Sequence, residues 1–237
     1  MGNVKSSLSN MVIVLVIITL VVGAVLGYVY QVTKEPIALS ALAKQNEAIE
    51  LVMPGFNNNP MDEMLEITTD EGLALKLFPA KKDGESIGVA IETVSGKGYG
   101  GNIRIMVGMK PDGTIVNYEI LEHKETPGLG TRMADWFKPA AEGGSEKTRN
   151  VFFDKLFGIK AEAGGGEDSK SVIGKNPGKD KLKVSKDGGD IDAITAATIT
   201  SRAFLEAIET AYKAYIEEAA KAAPGVQTEL QEEGEKL

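Results

Sequence analysis

Hydroxyl-bearing and small side chains crowd one short run, Asp192-Ala193-Ile194-Thr195-Ala196-Ala197-Thr198-Ile199-Thr200, which leads straight into an amphipathic stretch. The start of a helix leaves backbone N–H groups without intrahelical partners and carries the positive end of the helix dipole, so an anion held on Thr200 is well placed there. Plain N-capping by threonine makes the same demand on the sequence. A second segment, His123-Lys124-Glu125-Thr126-Pro127-Gly128-Leu129-Gly130, is a tight loop with two glycines. Its backbone can lie close against a flat ligand, or it can simply turn the chain. A third, Gly96-Lys97-Gly98-Tyr99-Gly100-Gly101, sets one aromatic ring among glycines, either beside a ligand or as a flexible connector.

Composition narrows the chemistry these segments can serve. Among 237 residues there is no cysteine and a single histidine, His123, so the chain supplies no thiolates for an iron–sulfur cluster, no CxxCH haem attachment and no Cys/His zinc site. Redox work would need an organic cofactor. His123 reads as a loop residue and is given no catalytic role. A net charge of −8 excludes a phosphate-tracking nucleic-acid surface.

The elements that position these segments follow from periodicity. No charged residue occurs from Ser6 to Thr33, and Met11 to Tyr30 is apolar enough to span a bilayer as a helix. Tyr28 and Tyr30 fall where an interfacial belt would lie. A cleavable signal peptide would need a cleavage site nearer than Ala41-Leu42-Ala43, so a retained anchor is expected. Lys5 and the amino terminus precede the span, whereas Lys34 and Glu35 cancel after it, which places the N-terminus inside and the bulk outside. Pro36 suits the first turn of a new helix over Ile37 to Met53, stopped by Pro54-Gly55.

Beyond it, MLEITT, LALKLFPA and SIGVAIETV, broken by Asp70-Glu71-Gly72 and Lys82-Asp83-Gly84, read as an antiparallel meander from Met61 to Val94. Asn102 to Gly108 and Thr114 to Leu121 flank Lys110-Pro111-Asp112-Gly113 as a hairpin, giving a sheet of four or five strands. Short helices are expected over Ala134 to Phe137 and Thr148 to Leu156. Ala161 to Asp190 reads as a long solvated loop. A helix from about Thr200 to Ala222 presents Phe204, Ile208, Tyr212 and Tyr215 as one apolar face to cover the sheet. The fold class is therefore α+β: one N-terminal transmembrane helix, then an extramembrane domain with a mainly antiparallel sheet packed by helices. The boundaries expected are 1–35 for the anchor, 36–95 for the connecting helix and meander, 96–223 for the ligand-binding domain and 224–237 for an acidic tail.

The threonine-rich run resembles the flavinylation motif of the FMN-binding domain family, D-x-x-[ST]-G-A-[ST]-x-T, in which the last threonine is esterified to the FMN phosphate. Asp192, Thr195, Ala197, Thr198 and Thr200 match its fixed positions, and Ala196 stands where the family has glycine. Alanine has no easy access to positive φ, so ordinary backbone dihedrals are expected there. Glu125-Thr126-Pro127-Gly128-Leu129-Gly130 is similar to the family's second hallmark, laid against the flavin ring, and the glycine segment around Tyr99 resembles its GYGG element. The resemblance implies that Thr200 carries a covalent FMN. It also implies that Thr198, Ala197, Thr195, Asp192, Glu125, Thr126, Gly128, Leu129 and Tyr99 line its site.

With the anchor included, the chain is similar to the G subunits of Rnf-type ion-translocating ferredoxin:NAD oxidoreductases, and also to the C subunits of sodium-pumping NADH:quinone reductases. The implied partners are the other membrane subunits, the lipid bilayer and a flavin transferase that installs FMN, so that Thr200 needs no activating base of its own. The implied task is electron transfer on the extracytoplasmic side, with no complete active site in this chain. Rival expectations are a free-standing anchored flavoprotein and a non-redox anchored assembly module.

Overall fold

A computed structural model of the chain describes residues 8–69, 72–139 and 170–222. The short helix expected over Thr148 to Leu156, the first part of the glycine-rich stretch and the acidic tail lie outside the described residues. The chain divides into two compact units between Asn46 and Glu47.

The first unit is the body of helix α1 (Leu8–Val52), which among the described residues is the one helix long and apolar enough to cross a membrane, with a mean hydropathy of 3.0 over its most apolar window. Its large side chains stand exposed, Leu15 and Leu26 among them. The hydroxyls of Thr19 and Thr33 donate back to the carbonyls of Leu15, at 3.0 Å, and Val29, at 2.8 Å, so that neither is left without a partner on an apolar surface. The new helix expected at Pro36 is not a separate element, because α1 runs through the proline. Proline removes one N–H and crowds the preceding turn, but both effects are local. The Ala, Leu, Lys and Gln residues that follow are strong helix formers and carry the helix on.

In the second unit five antiparallel strands follow chain order: β1 (Leu65–Thr68), β2 (Ala74–Lys82), β3 (Glu85–Ser95), β4 (Ile103–Met109) and β5 (Ile115–Glu122). The turns are those their residues demand. Asp83 and Gly84 both take positive φ between β2 and β3, and Gly113 takes φ 82° between β4 and β5. Asp112 fixes the second turn by accepting the Thr114 N–H at 2.9 Å and the Thr114 hydroxyl at 2.9 Å, contacts that hold its carboxyl below the usual range.

Alternation along the strands sends side chains to two cores. On one face Leu75, Leu77, Ile91, Ile105, Val107 and Tyr118 meet helix α3 (Thr198–Ala222), whose Phe204 stacks on Phe137 at 4.5 Å and meets Tyr118 edge-on at 4.8 Å. Burial pushes the Tyr118 hydroxyl well above its ordinary pKa, and it donates to the Met133 carbonyl at 2.7 Å. On the other face Phe78, Ala80, Ala90, Met106 and Leu121 pack under Ala48, Ile49, Val52 and Met53, the last turn of α1 and the residue after it. Each buried Phe, Leu or Ile contributes about 1.5–3 kcal/mol.

One expectation is corrected here. Residues 170–190 are not a solvated loop: Val172, Leu182 and Val184 are buried in the α3-side core. Gly174 N–H and Lys175 carbonyl bond to both backbone groups of Ile115, at 2.8 and 2.9 Å. The isolated apolar residues carry no helical or strand period, so the surrounding Lys, Asp and Gly dominate the pattern of the sequence there. Helix α2 (Met133–Trp136) is a single turn close to where a short helix was expected.

The last turn of α1 meets the sheet through glycine. A Cβ on Gly108 would lie 2.1 Å from the Val52 carbonyl oxygen, a backbone atom that cannot rotate away. Gly108→Ala should therefore cost about 1–3 kcal/mol, read as a lowered melting temperature of the detergent-solubilised protein.

Candidate functional site

Strand β5 ends at Glu122, and the loop after it turns sharply enough to send Glu125 inward. Gly128, at φ 76°, donates its N–H to the Thr131 hydroxyl at 2.9 Å, and the Thr126 carbonyl accepts the Leu129 N–H at 3.2 Å. A 3-10 turn over Gly130–Arg132 then leads into α2. The result is a carboxylate only 5% exposed.

Both oxygens of that carboxylate are engaged. Oε2 accepts the Thr200 hydroxyl at 2.7 Å and Oε1 accepts the Gly100 N–H at 3.1 Å. A buried charge needs such partners, because desolvation without them costs several kcal/mol. The three segments singled out by residue type thus converge on one hydrogen-bonded pair. Their glycines make the convergence possible. A Cβ on Gly98 would fall 2.6 Å from Glu125 Oε1, and one on Gly130 would fall 2.5 Å from Oε2 and 2.9 Å from Thr200 Oγ1. On Gly100 it would lie 1.9 Å from the Lys124 carbonyl oxygen.

Thr200 is held from the helix side as well. Helix α3 begins at Thr198, two residues earlier than expected, so Thr200 is the third residue of the first turn. There its N–H belongs to the positive end of the dipole. The buried Ser201 hydroxyl accepts the Ile194 N–H at 3.0 Å and donates to the Ala197 carbonyl at 3.0 Å, closing the run onto the helix. Sequence reasoning missed Ser201 because an isolated serine after two threonines looks like one more helix-start hydroxyl.

The other expected site residues are distributed around this pair. Ala197 is buried, Thr198 half-buried and Thr195 exposed. Asp192 Oδ1 accepts the Ser185 hydroxyl at 2.8 Å and its carbonyl accepts the Trp136 Nε1–H at 2.9 Å. These contacts anchor the start of the run to Ser185 and Trp136. Thr126 is exposed and Leu129 packs half-buried against the core, whereas Tyr99 is 71% exposed beside the glycines that contact Glu125. Arg202 forks onto Asp187 at 2.6 and 2.7 Å, which holds the Asp187 carboxyl below its usual range and ties the 3-10 turn Ser185–Asp187 to α3.

Ala196 corrects a further expectation. Its φ is +64°, in the left-handed region, and the Ala197 N–H bonds to the Ile194 carbonyl across it at 2.9 Å. The tight turn into α3 imposes that dihedral whatever side chain sits there. An L-residue pays about 1–2 kcal/mol for it. Ala196→Gly should therefore raise stability by roughly 0.5–1 kcal/mol after the extra unfolded-state entropy of glycine is subtracted, measured as a higher melting temperature without loss of the Thr200–Glu125 geometry.

Comparison with known proteins bears on this geometry directly. The FMN-binding domain family matches residues 98–213, which contain all three segments save the first two glycine-loop residues. The G subunit of the ion-translocating oxidoreductase complex of Vibrio atlanticus is 33% identical over 193 residues, covering 77% of this chain and 78% of that protein. Its counterpart in Pasteurella multocida is 31% identical over 216 residues, covering 87% and 92%, and that in Erwinia tasmaniensis 34% identical over 188 residues, covering 75% of each. With its apolar N-terminal helix, the chain has the character of a membrane-anchored protein. A five-stranded sheet, a glycine-walled Thr200–Glu125 pair and relatives aligned over most of their length place the chain in the family of ion-translocating oxidoreductase G subunits, with an FMN-binding domain.

Proposed function

We propose that this chain is an electron-carrying subunit of a membrane ion-translocating oxidoreductase of the Rnf type, and that it carries FMN as a phosphoester on Thr200. The single observation that supports the site is the meeting of three separate segments at the hydrogen-bonded pair of Thr200 and Glu125. The residues suit the group: a phosphate on Oγ1 would sit at the first turn of α3, where N–H groups and the dipole favour an anion. The missing side chains at Gly98, Gly100 and Gly130 let the backbone close on Glu125 and Lys124, which keeps the loop against Thr200. Thr195, Thr198, Ala197 and Asp192 would shape the phosphate end, and Glu125, Thr126, Gly128, Leu129 and Tyr99 the remainder.

When bound, FMN supplies one- and two-electron redox chemistry that no side chain here can. The protein's part is to hold the group by its phosphate and shield it. Covalent attachment suits a carrier outside the cytoplasm, where a dissociated flavin would be diluted, because it removes dissociation altogether. Helix α1 then anchors the chain as a single pass with the N-terminus in the cytoplasm and the FMN domain on the extracytoplasmic side. Other membrane subunits exchange electrons with it, and a flavin transferase matures it.

Thr200→Ala, made in the host, tests the assignment through in-gel flavin fluorescence and mass mapping of the peptide around residue 200. The expected outcome is complete loss of the fluorescent band with normal protein abundance. A band of undiminished brightness would overturn it.

A further inference from the structure

The segment 177–188 closes against α3 and leaves a cleft of about 460 Å³, lined by Lys179, Lys181 and Lys183 together with Asp180, Asp187 and Glu209. Both walls are pinned. In one, the buried Asn176 side chain accepts the Gly178 N–H at 2.8 Å and donates to the Asp112 carbonyl at 2.7 Å. A Cβ on Gly178 would fall 2.2 Å from the Tyr212 hydroxyl oxygen, so this turn sits tightly on α3. In the other, the fork from Arg202 holds Asp187 to the same helix. A cleft already held open binds without the cost of forming it.

Charge in the cleft is one-sided once the existing bonds are counted. Asp187 gives both oxygens to Arg202, Asp180 Oδ2 accepts the Asn176 N–H at 2.6 Å, and Glu209 pairs with Lys213 at 3.0 Å. Among the described residues no carboxylate makes an ion pair with Lys179, Lys181 or Lys183, and Lys183 adds only a through-space pull on Asp187 behind Arg202. Leu182 is buried while Lys181 and Lys183 on either side of it are exposed, so the segment roots itself in the core and presents both lysines outward. A chain of net charge −8 thus gathers three lysines without an ion-pair partner in one concavity.

We propose that this cleft is a binding site for a phosphate-bearing ligand, separate from the Thr200 site. Each lysine offers a point charge and three N–H donors, which suit the oxygens of a phosphate without the planar fork of arginine. The volume exceeds what a lone ion fills, so the ligand carries its phosphate on a larger body or carries more than one. A phospholipid headgroup and a soluble phosphate ester share that chemistry. Glu209 lies about two and a half turns beyond Thr200 on α3, hence on the opposite side of the helix, so the two sites do not compete.

The test uses full-length protein in detergent at constant ionic strength. Titration calorimetry with inorganic pyrophosphate, and separately with dihexanoyl phosphatidylglycerol, should give saturable heats for at least one of the two, against a blank of sodium chloride. Tighter binding of the short-chain lipid identifies a headgroup as the source, and tighter binding of pyrophosphate a soluble ester. The triple variant Lys179→Gln, Lys181→Gln, Lys183→Gln should weaken that binding about tenfold or more, whereas Lys76→Gln, Lys82→Gln, Lys110→Gln, the same change in net charge outside the cleft, should leave it within about twofold. A footprint on the native protein needs no variant: the bound probe should slow chemical acetylation of Lys179, Lys181 and Lys183, mapped by mass spectrometry, and not that of Lys82 or Lys110. Any of three results overturns the proposal: heats no larger than the sodium chloride blank for both probes, equal weakening in the two triple variants, or no protection at the three cleft lysines.

Discussion

A hydroxyl on a helix donates one buried hydrogen bond to a carboxylate on a loop 75 residues away in sequence, and the architecture around them makes that meeting possible. Burying a carboxylate is costly unless its oxygens find donors. Here one donor comes from Thr200 and one from the backbone of Gly100. Each donor comes from a different element, so the pair acts as a clasp. If β5, the glycine loop or α3 shifted by an ångström, the charge would lose a partner. The hydrogen bond therefore specifies the relative placement of three elements as well as marking the site.

The sheet supplies the stiffness this requires. Both faces are covered, one by α3 with the aromatic group of Tyr118, Phe137 and Phe204, the other by Ala48 to Met53. Because Phe204 lies one turn beyond Thr200 on α3, the stack against Phe137 and Tyr118 fixes the rotation and depth of the helix start. The polar clasp and the apolar stack thus constrain the same helix from neighbouring turns. Trp136, bonded to the Asp192 carbonyl, holds the incoming run from a third direction.

Much of this was legible in the sequence, for reasons that can be named. The strands showed because they alternate between turns that need glycine, as at Gly84 and Gly113. The apolar face of α3 showed because Phe204 and Ile208 recur at helical spacing. The site segments stood out by residue type and by resemblance. Three features were hidden. The positive φ of Ala196 is imposed by the turn from Ile194 to Ala197, and no local preference of alanine announces it. The continuity of α1 through Pro36 reflects strong helix formers on both sides outweighing a local breaker. Val172, Leu182 and Val184 are core residues without a period, held by backbone pairing to Ile115 and by the tie from Arg202 to Asp187. Nor could sequence reveal that Glu125 and Thr200 touch, since only the folded sheet brings them together.

The packing of Ala48, Ile49, Val52 and Met53 beneath the sheet has a consequence for synthesis. These residues leave the ribosome long before the strands they cover, as the continuation of the segment that first engages the membrane. Phe78, Ala90, Met106 and Leu121 stay uncovered until that early segment folds back against them. A truncation that removes the anchor at the proline keeps this lid, whereas one beginning after Met53 would shed it and leave an aromatic and aliphatic surface open to aggregation.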